Sequence, residues 1–161
     1  MNTSSSVVAH CVIGPGRLGS VLLAALAAAG QSAAAVGLGP SGVEDRAAHP
    51  PRLRPPDALA VTLASAAPTT VLWLTVPDDA VAAVAAQTAA CVATAPAGLA
   101  VVHCSGLGGL DLLSPWRRLG ARVLSLHPLQ TFSGAPSSTA PLVGVPIAVT
   151  AADQADRHLG A

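Results

Sequence analysis

Short apolar runs alternating with alanine-rich, helix-forming stretches predict an α/β fold: a doubly wound, mostly parallel sheet with helices on both faces. Three observations carry that expectation. Val7–Ile13 (VVAHCVI) and Val71–Val76 (VLWLTV) are mostly apolar, the pattern of strands buried on both faces. Each run ends at a glycine or proline turn, and a helical stretch follows. The strands recur with helices between them, which requires right-handed crossovers.

The elements follow in order. Residues 1–6 (MNTSSS) are polar and read as a disordered N-terminus, and residues 7–150 form the domain. Val7–Ile13 is the first strand. Arg17–Ala29 is a helix that Gly30 stops. Ser32–Val36 is a weaker second strand. The Gly- and Pro-rich stretch Gly37–Pro56 reads as a loop whose HPPRLRPP segment excludes regular helix and central strand. Asp57–Ala67 is helical in composition, with Asp57 as its N-cap. After the strand Val71–Val76, Pro77-Asp78-Asp79 turns into a helix over residues 79–92, with Asp78 or Asp79 as the N-cap. Leu99–Cys104 is a strand, Leu110–Leu119 a helix, Arg122–Leu126 a strand and Val145–Val149 the last strand. Residues 151–161 read as the start of a truncated helix leading to a C-terminal helical domain.

Composition removes several function classes. Eight arginines balance eight acidic residues and there is no lysine, so no basic stripe is available to displace counterions from nucleic acid. The longest candidate membrane run, Val21–Ala29, is too short to span a bilayer. The N-terminus has no basic segment of the signal-peptide kind. Three cysteines without CxxC spacing fit a reduced compartment, and the expectation is a soluble cytoplasmic protein without metal. His49, beside two prolines, and His158 read as surface residues.

Gly14-Pro15-Gly16-Arg17-Leu18-Gly19 lies between the first strand and the first helix, which is the context that gives a GxGxxG pattern meaning. Gly14 permits the sharp turn, Gly16 lets backbone approach a pyrophosphate, and Gly19 lets helix and strand pack closely. Free amides and the helix dipole favour a dianion there. The expected ligand is a dinucleotide. Residues 34–42 (AAVGLGPSG) lack the acid that would accept from the ribose hydroxyls, and Glu44 and Asp45 come later. Without that acid a 2′-phosphate meets no repulsion, and Ser41 and Arg46 can hold it, with Arg52 or Arg54 as lesser donors. NADP(H) is therefore favoured over NAD(H).

Ligands of open α/β sheets bind at the carboxyl ends of the strands. Thr75, Val76 and Pro77 occupy one such end, with Val76 and Pro77 flanking the ribose or nicotinamide side. HCSG (residues 103–106) and SLHPLQTF (residues 125–132) occupy two more. His127, its backbone fixed by Pro128, can polarise a carbonyl or take a hydroxyl proton while hydride moves. Ser105 can hold a substrate oxygen or orient the ring. His103 and Cys104 fall inside an apolar strand and read as structural, and Cys104 lacks an activating partner.

GPGRLG, LTVPDDAV, HCSG, SLHPLQTF and GVPIAVT, in this order, resemble the N-terminal domain of a bacterial oxidoreductase family in which a Rossmann-like domain precedes a helical one. More distantly the layout is similar to prephenate dehydrogenase, pyrroline-5-carboxylate reductase and the 6-phosphogluconate dehydrogenase group. The resemblance to prephenate dehydrogenases implies a functional serine at Ser105 and a catalytic histidine at His127. A 6-phosphogluconate-type lysine, a Tyr-x-x-x-Lys pair and a phosphate-loop lysine are all excluded, since the chain has neither lysine nor tyrosine.

Relatives continue into a helical domain that closes over the nicotinamide and builds a dimer. The resemblance thus implies weak or absent turnover from this chain alone, a possible homodimer through the further domain, and an apolar face left bare where that domain docks. The expected function is an NADP(H)-dependent oxidoreductase domain acting on a small-molecule substrate. An NADP(H)-sensing module without catalysis is the alternative, and a scaffold without nucleotide the lesser one.

Overall fold

The computed structural model describes residues 9–37, 53–54, 59, 62–63, 70–132 and 142–152. In chain order these form β1 (Ala9–Ile13), α1 (Arg17–Ala28), β2 (Ser32–Val36), β3 (Leu53–Arg54), β4 (Val71–Leu74), α2 (Val81–Ala89), β5 (Ala100–His103), α3 (Ser114–Arg118), β6 (Arg122–Pro128) and β7 (Ile147–Ala151). Leu59, Thr62 and Leu63 are helical, within the stretch expected to be a helix. The seven strands make one sheet in the order β3-β2-β1-β4-β5-β6-β7. Every pairing is parallel except β6 with β7. The chain thus winds one way from β1 to β3 and the other way from β4 onward, which opens a crevice between β1 and β4.

The strands are apolar throughout because both faces are covered. Cys11, Ile13, Leu72, Leu74, Val101 and Val123 point into one core with Leu59, Leu63, Val81, Val84, Leu113 and Trp116. Their neighbours one residue along, Val12 and Ala35, meet Leu23 of α1 on the opposite face. Ala100, Val102, Leu124 and Leu126 continue that second face. Strand periodicity of two, read against helices on both sides, accounts for this division. Trp116 is wholly buried, and its indole N–H donates to the Thr88 hydroxyl at 3.1 Å. That hydroxyl in turn donates to the Val84 carbonyl at 2.7 Å, so the polar end of the largest core side chain is satisfied.

α1 ends as expected. Gly30 takes φ +70, its amide donates to the Ala27 carbonyl, and the Gln31 amide donates to that of Leu26, which together cover the helix's last carbonyls. Several boundaries differ from the sequence reading. The expected loop Gly37–Pro56 contains a strand, β3, placed at the sheet edge, where proline neighbours are tolerated. Neither Asp78 nor Asp79 is a helix cap. Both sit in the first turn of a 3-10 segment, Asp78–Ala80, and α2 starts only at Val81 without a side-chain cap. The expected helix Leu110–Leu119 opens as a 3-10 turn, Leu110–Leu113, and is α-helical only over Ser114–Arg118, with Pro115 in its first turn.

β6 runs on to Pro128, two residues past its expected end, because β7 pairs with it antiparallel and supplies partners for His127 and Pro128. Beside that edge Leu129 (59% exposed), Val143 (81%) and Ile147 (45%) present apolar surface. No helix among the described residues is long and apolar enough to cross a membrane.

Leu72 is fully buried on the central strand β4. Leu72→Ala is expected to lower unfolding free energy by about 2–5 kcal/mol, the usual range for leucine truncation in a packed core, measured by urea denaturation.

Candidate functional site

The carboxyl ends of β1 and β4 meet in a turn built from small residues. Gly14 has φ +78, a conformation that L side chains rarely adopt, and a Cβ there would lie 2.5 Å from Val76 Cγ1. Its amide donates to the Val36 carbonyl at 3.0 Å, tying the turn to β2. Gly19, buried in α1, faces Thr75. A Cβ there would lie 2.5 Å from the threonine hydroxyl and 2.9 Å from the Gly14 carbonyl. Gly16 is different: it caps α1, is exposed, and has only the Gly14 carbonyl near its missing Cβ, at 3.9 Å. The first turn of α1 therefore presents amides without intrahelical acceptors beside open space. Pro15 is half-buried and its carbonyl accepts the Ser20 hydroxyl at 3.0 Å. Arg17 is exposed and Leu18 half-buried.

Thr75 was expected among the cofactor-binding residues at the carboxyl end of its strand. Its side chain holds the turn together: the buried hydroxyl lies 2.8 Å from the Gly14 carbonyl and 3.1 Å from that of Ile13, a shared donation that binds the end of β1 to the end of β4. Val76 is half-buried against Gly14, and Pro77 is exposed on the rim. Ser41 and Arg46, together with Glu44 and Asp45, lie outside the described residues.

Two strands further along the sheet, Ser105 and His127 are brought together as the motifs implied. β5 ends at His103, paired with Ser125, and β6 carries His127 two residues beyond that pair, over the Cys104-Ser105-Gly106 turn. The ring Nδ1 of His127 lies 3.0 Å from the Cys104 carbonyl. A carbonyl only accepts, so Nδ1 carries the proton and Nε2 holds the lone pair. The Nε2 edge lies over Gly106, where a Cβ would stand 2.7 Å from it. Ser105 is buried, and its hydroxyl accepts the Leu107 amide at 3.2 Å. That bond shapes the turn and leaves the hydroxyl's own proton to be placed.

Burial decides the remaining titratable groups. Cys104 has its thiol pushed up to about 12 by desolvation, so it is no nucleophile near neutrality, in line with the sequence reading. His103 is 0% exposed, and desolvation holds its pKa below 6.5, outweighing the Gly109 carbonyl and the Asp111 and Asp78 carboxylates that favour the charged form. Its Nδ1 accepts the Ser105 amide at 3.2 Å, and its Nε2 makes no well-formed hydrogen bond among the described residues. No group of histidine, cysteine or acidic side chains among the described residues has the arrangement of a metal site.

The sequence reading gave no role to Ser20 or Gly106 and took His103 as structural. A serine one place past the glycine motif carries no signal of its own. The HCSG spacing contained the other two, but the contact between Gly106 and His127 spans residues far apart in the chain.

These features settle the class of protein. The chain belongs to the Rossmann-like domain family, whose model matches residues 3–128. Among solved structures it is similar to prephenate dehydrogenase from A. aeolicus, in complex with hydroxyphenyl propionate and NAD+ (15% identity, TM-score 0.67, covering 97% of this chain and 56% of that one). It is also similar to 3-hydroxyisobutyrate dehydrogenase from Mycobacterium tuberculosis (17%, TM-score 0.64, 95% and 49%). A third neighbour is the reductive aminase from Aspergillus terreus, in complex with NADPH and ethyl-5-oxohexanoate (16%, TM-score 0.62, 96% and 53%). At these identities the likeness is one of fold, and the chain spans about half the length of each neighbour. No curated protein matches the chain.

Half-buried His10 and fully buried His103 fix a pH dependence. His10 and His103 both have folded pKa values below 6.5, so between those values and 6.5 the unfolded chain binds protons that the folded chain does not. Their contribution to stability is complete above 6.5 and is lost as pH falls. The urea midpoint is expected to drop from about pH 7.5 to about pH 5, and the drop to be smaller in His103→Asn, with His10 supplying the rest.

Proposed function

We propose that the chain is the dinucleotide-binding part of an NADP(H)-dependent oxidoreductase acting on a small-molecule substrate. The observation that carries the reading is Gly16. It is the one glycine of the motif not required by close packing, and it stands exposed at the start of α1, where free amides and the positive end of the helix dipole favour a pyrophosphate. Gly14, Pro15, Gly16, Arg17, Leu18 and Gly19 would hold that group, with Val76 and Pro77 along the ribose and Thr75 keeping the turn closed. β6 lies three strands from β1, roughly 14 Å across the sheet, so the glycine turn and His127 sit at two ends of one crevice.

The bound nicotinamide would supply or accept the hydride. His127 would do the proton work at Nε2, whose lone pair can take a proton from a substrate hydroxyl, while the Cys104 carbonyl keeps the other nitrogen protonated. Ser105 would orient the substrate or ring through its hydroxyl proton. We further read the cofactor as NADP(H). The end of β2, Val36-Gly37, offers no carboxylate, and the β2–β3 register sets Arg54 beside Val36. Ser41 and Arg46 remain further candidates for the 2′-phosphate. A cytoplasmic setting and a homodimer formed through a further domain complete the proposal.

The test is ligand-dependent thermal stabilisation of the purified chain, with NADPH and NADH each varied in concentration. The wild type is expected to bind NADPH more tightly. Gly16→Val should weaken NADPH by at least about tenfold, a loss of ~1.4 kcal/mol, while leaving the Tm of the free protein nearly unchanged. Arg54→Ala should weaken NADPH and leave NADH as it was. Equal affinity for both in the wild type would remove the NADP(H) assignment, and no stabilisation by either would remove the dinucleotide.

A further inference from the structure

His103 is fully buried, cannot touch a substrate, and lies two residues from the serine to which a role has been given. A wholly buried imidazole is costly when its Nε2 has the Gly109 carbonyl nearby but no well-formed hydrogen bond, and an apolar residue would fill the space without that cost. What the imidazole does is visible in its one bond. The peptide group joining Cys104 to Ser105 has its N–H directed to Nδ1 of His103 at 3.2 Å. The carbonyl of that same peptide group lies 3.0 Å from Nδ1 of His127. Two imidazoles are therefore joined through the two ends of a single planar unit.

We propose that His103 is a positioning residue for His127, acting through the Cys104–Ser105 peptide group. Donation of the Ser105 N–H to His103 draws electron density toward the Cys104 carbonyl oxygen and makes it a better acceptor. Because the peptide unit is planar, anchoring its N–H also fixes where its carbonyl points. A firmly placed acceptor at His127 Nδ1 keeps the proton on that nitrogen and the lone pair on Nε2.

The direction of the bonds requires His103 to be neutral, with its own proton on Nε2, because a protonated Nδ1 would oppose the Ser105 N–H. Among the described residues, nothing else in the turn grips this peptide group. The Ser105 hydroxyl accepts from Leu107, and the Ser125 hydroxyl donates to the next carbonyl, that of Ser105, at a long 3.5 Å. Gly106 completes the arrangement, since a side chain there would stand against Nε2 of His127.

The catalytic meaning of this coupling rests on the reading of His127 given above; the coupling itself does not. It is tested by 15N NMR of the histidine rings, which reports the tautomer without cofactor or substrate. In the wild type His127 is expected as the Nδ1–H tautomer and His103 as the Nε2–H tautomer. His103→Phe removes the acceptor, frees the peptide group to turn its carbonyl from His127, and is expected to shift the His127 tautomer ratio toward Nε2–H by up to about five-fold, the change that loss of that second hydrogen bond brings.

His103→Asn, whose carbonyl oxygen can accept in place of Nδ1, is expected to restore the wild-type ratio. Near-ultraviolet circular dichroism of buried Trp116 checks that each variant is folded. A wild-type His127 found as Nε2–H overturns the proposal even if no variant folds, and so does an unchanged ratio in folded His103→Phe. NADPH stabilisation measured alongside separates the two readings. Its absence with the tautomer coupling intact removes the oxidoreductase function alone, and its presence with the coupling absent removes the His103 role alone.

Discussion

The hydroxyl of Thr75 is the constraint on which the arrangement turns. Where β1 stops and the chain bends into α1, the Ile13 carbonyl accepts the Thr75 amide at 3.0 Å and the Gly14 carbonyl the Gly16 amide at 2.7 Å, each keeping a second lone pair. One hydroxyl lies within reach of both. By doing so it draws the end of β4 against the end of β1 at the place where the winding reverses. Gly19 then has to be a glycine, because the helix passes directly over that hydroxyl. The crevice, the start of α1 and the open side of Gly16 all follow from this one junction. A residue that resembles a ligand contact in sequence thus turns out to tie the two strand ends together.

The two ends of the crevice are built on opposite principles. At the glycine turn, side chains are removed so that backbone amides and the helix dipole are left facing outward. At the histidine end, a side chain is placed over the backbone and held by it. β6 makes the second end possible by outrunning β5, with antiparallel β7 stabilising the overhang. Had β6 ended at Leu126, His127 would have begun a loop, and its Nδ1 would have had no fixed carbonyl to meet.

Much of the fold was legible because strands buried on both faces leave strong apolar runs, as in VLWLTV, and because Gly30 marks a helix end without ambiguity. The glycine turn was legible for the same local reason, since its strand, glycines and helix are consecutive. What escaped were features decided by partners distant in the chain. β3 is two residues long and exists through pairing with β2, so its prolines pointed only to a loop. Asp78 and Asp79 looked like caps because their residue type suits that role, but the 3-10 turn before α2 leaves no side-chain cap to be made. His103 was read as structural, which its burial bears out. Its bond to the Ser105 amide and that amide's partner carbonyl could not be read from the HCSG spelling.

For the proposed chemistry, the chain's composition narrows the choice of proton carrier further than any motif does. With no lysine and no tyrosine, two common proton carriers are unavailable anywhere in the sequence. On the histidine side of the crevice, burial then takes Cys104 out of range and keeps His103 neutral and enclosed. Asp78, Asp79 and Asp111 are exposed, and Asp78 and Asp111 act on His103 as carboxylates that favour its charged form. His127 is left, half-buried, with one nitrogen committed to a carbonyl and the other lying over a glycine. The same low dielectric that silences its neighbours strengthens the bond that fixes its tautomer. Elimination by burial and fixation by hydrogen bonding therefore arrive at one atom, Nε2 of His127.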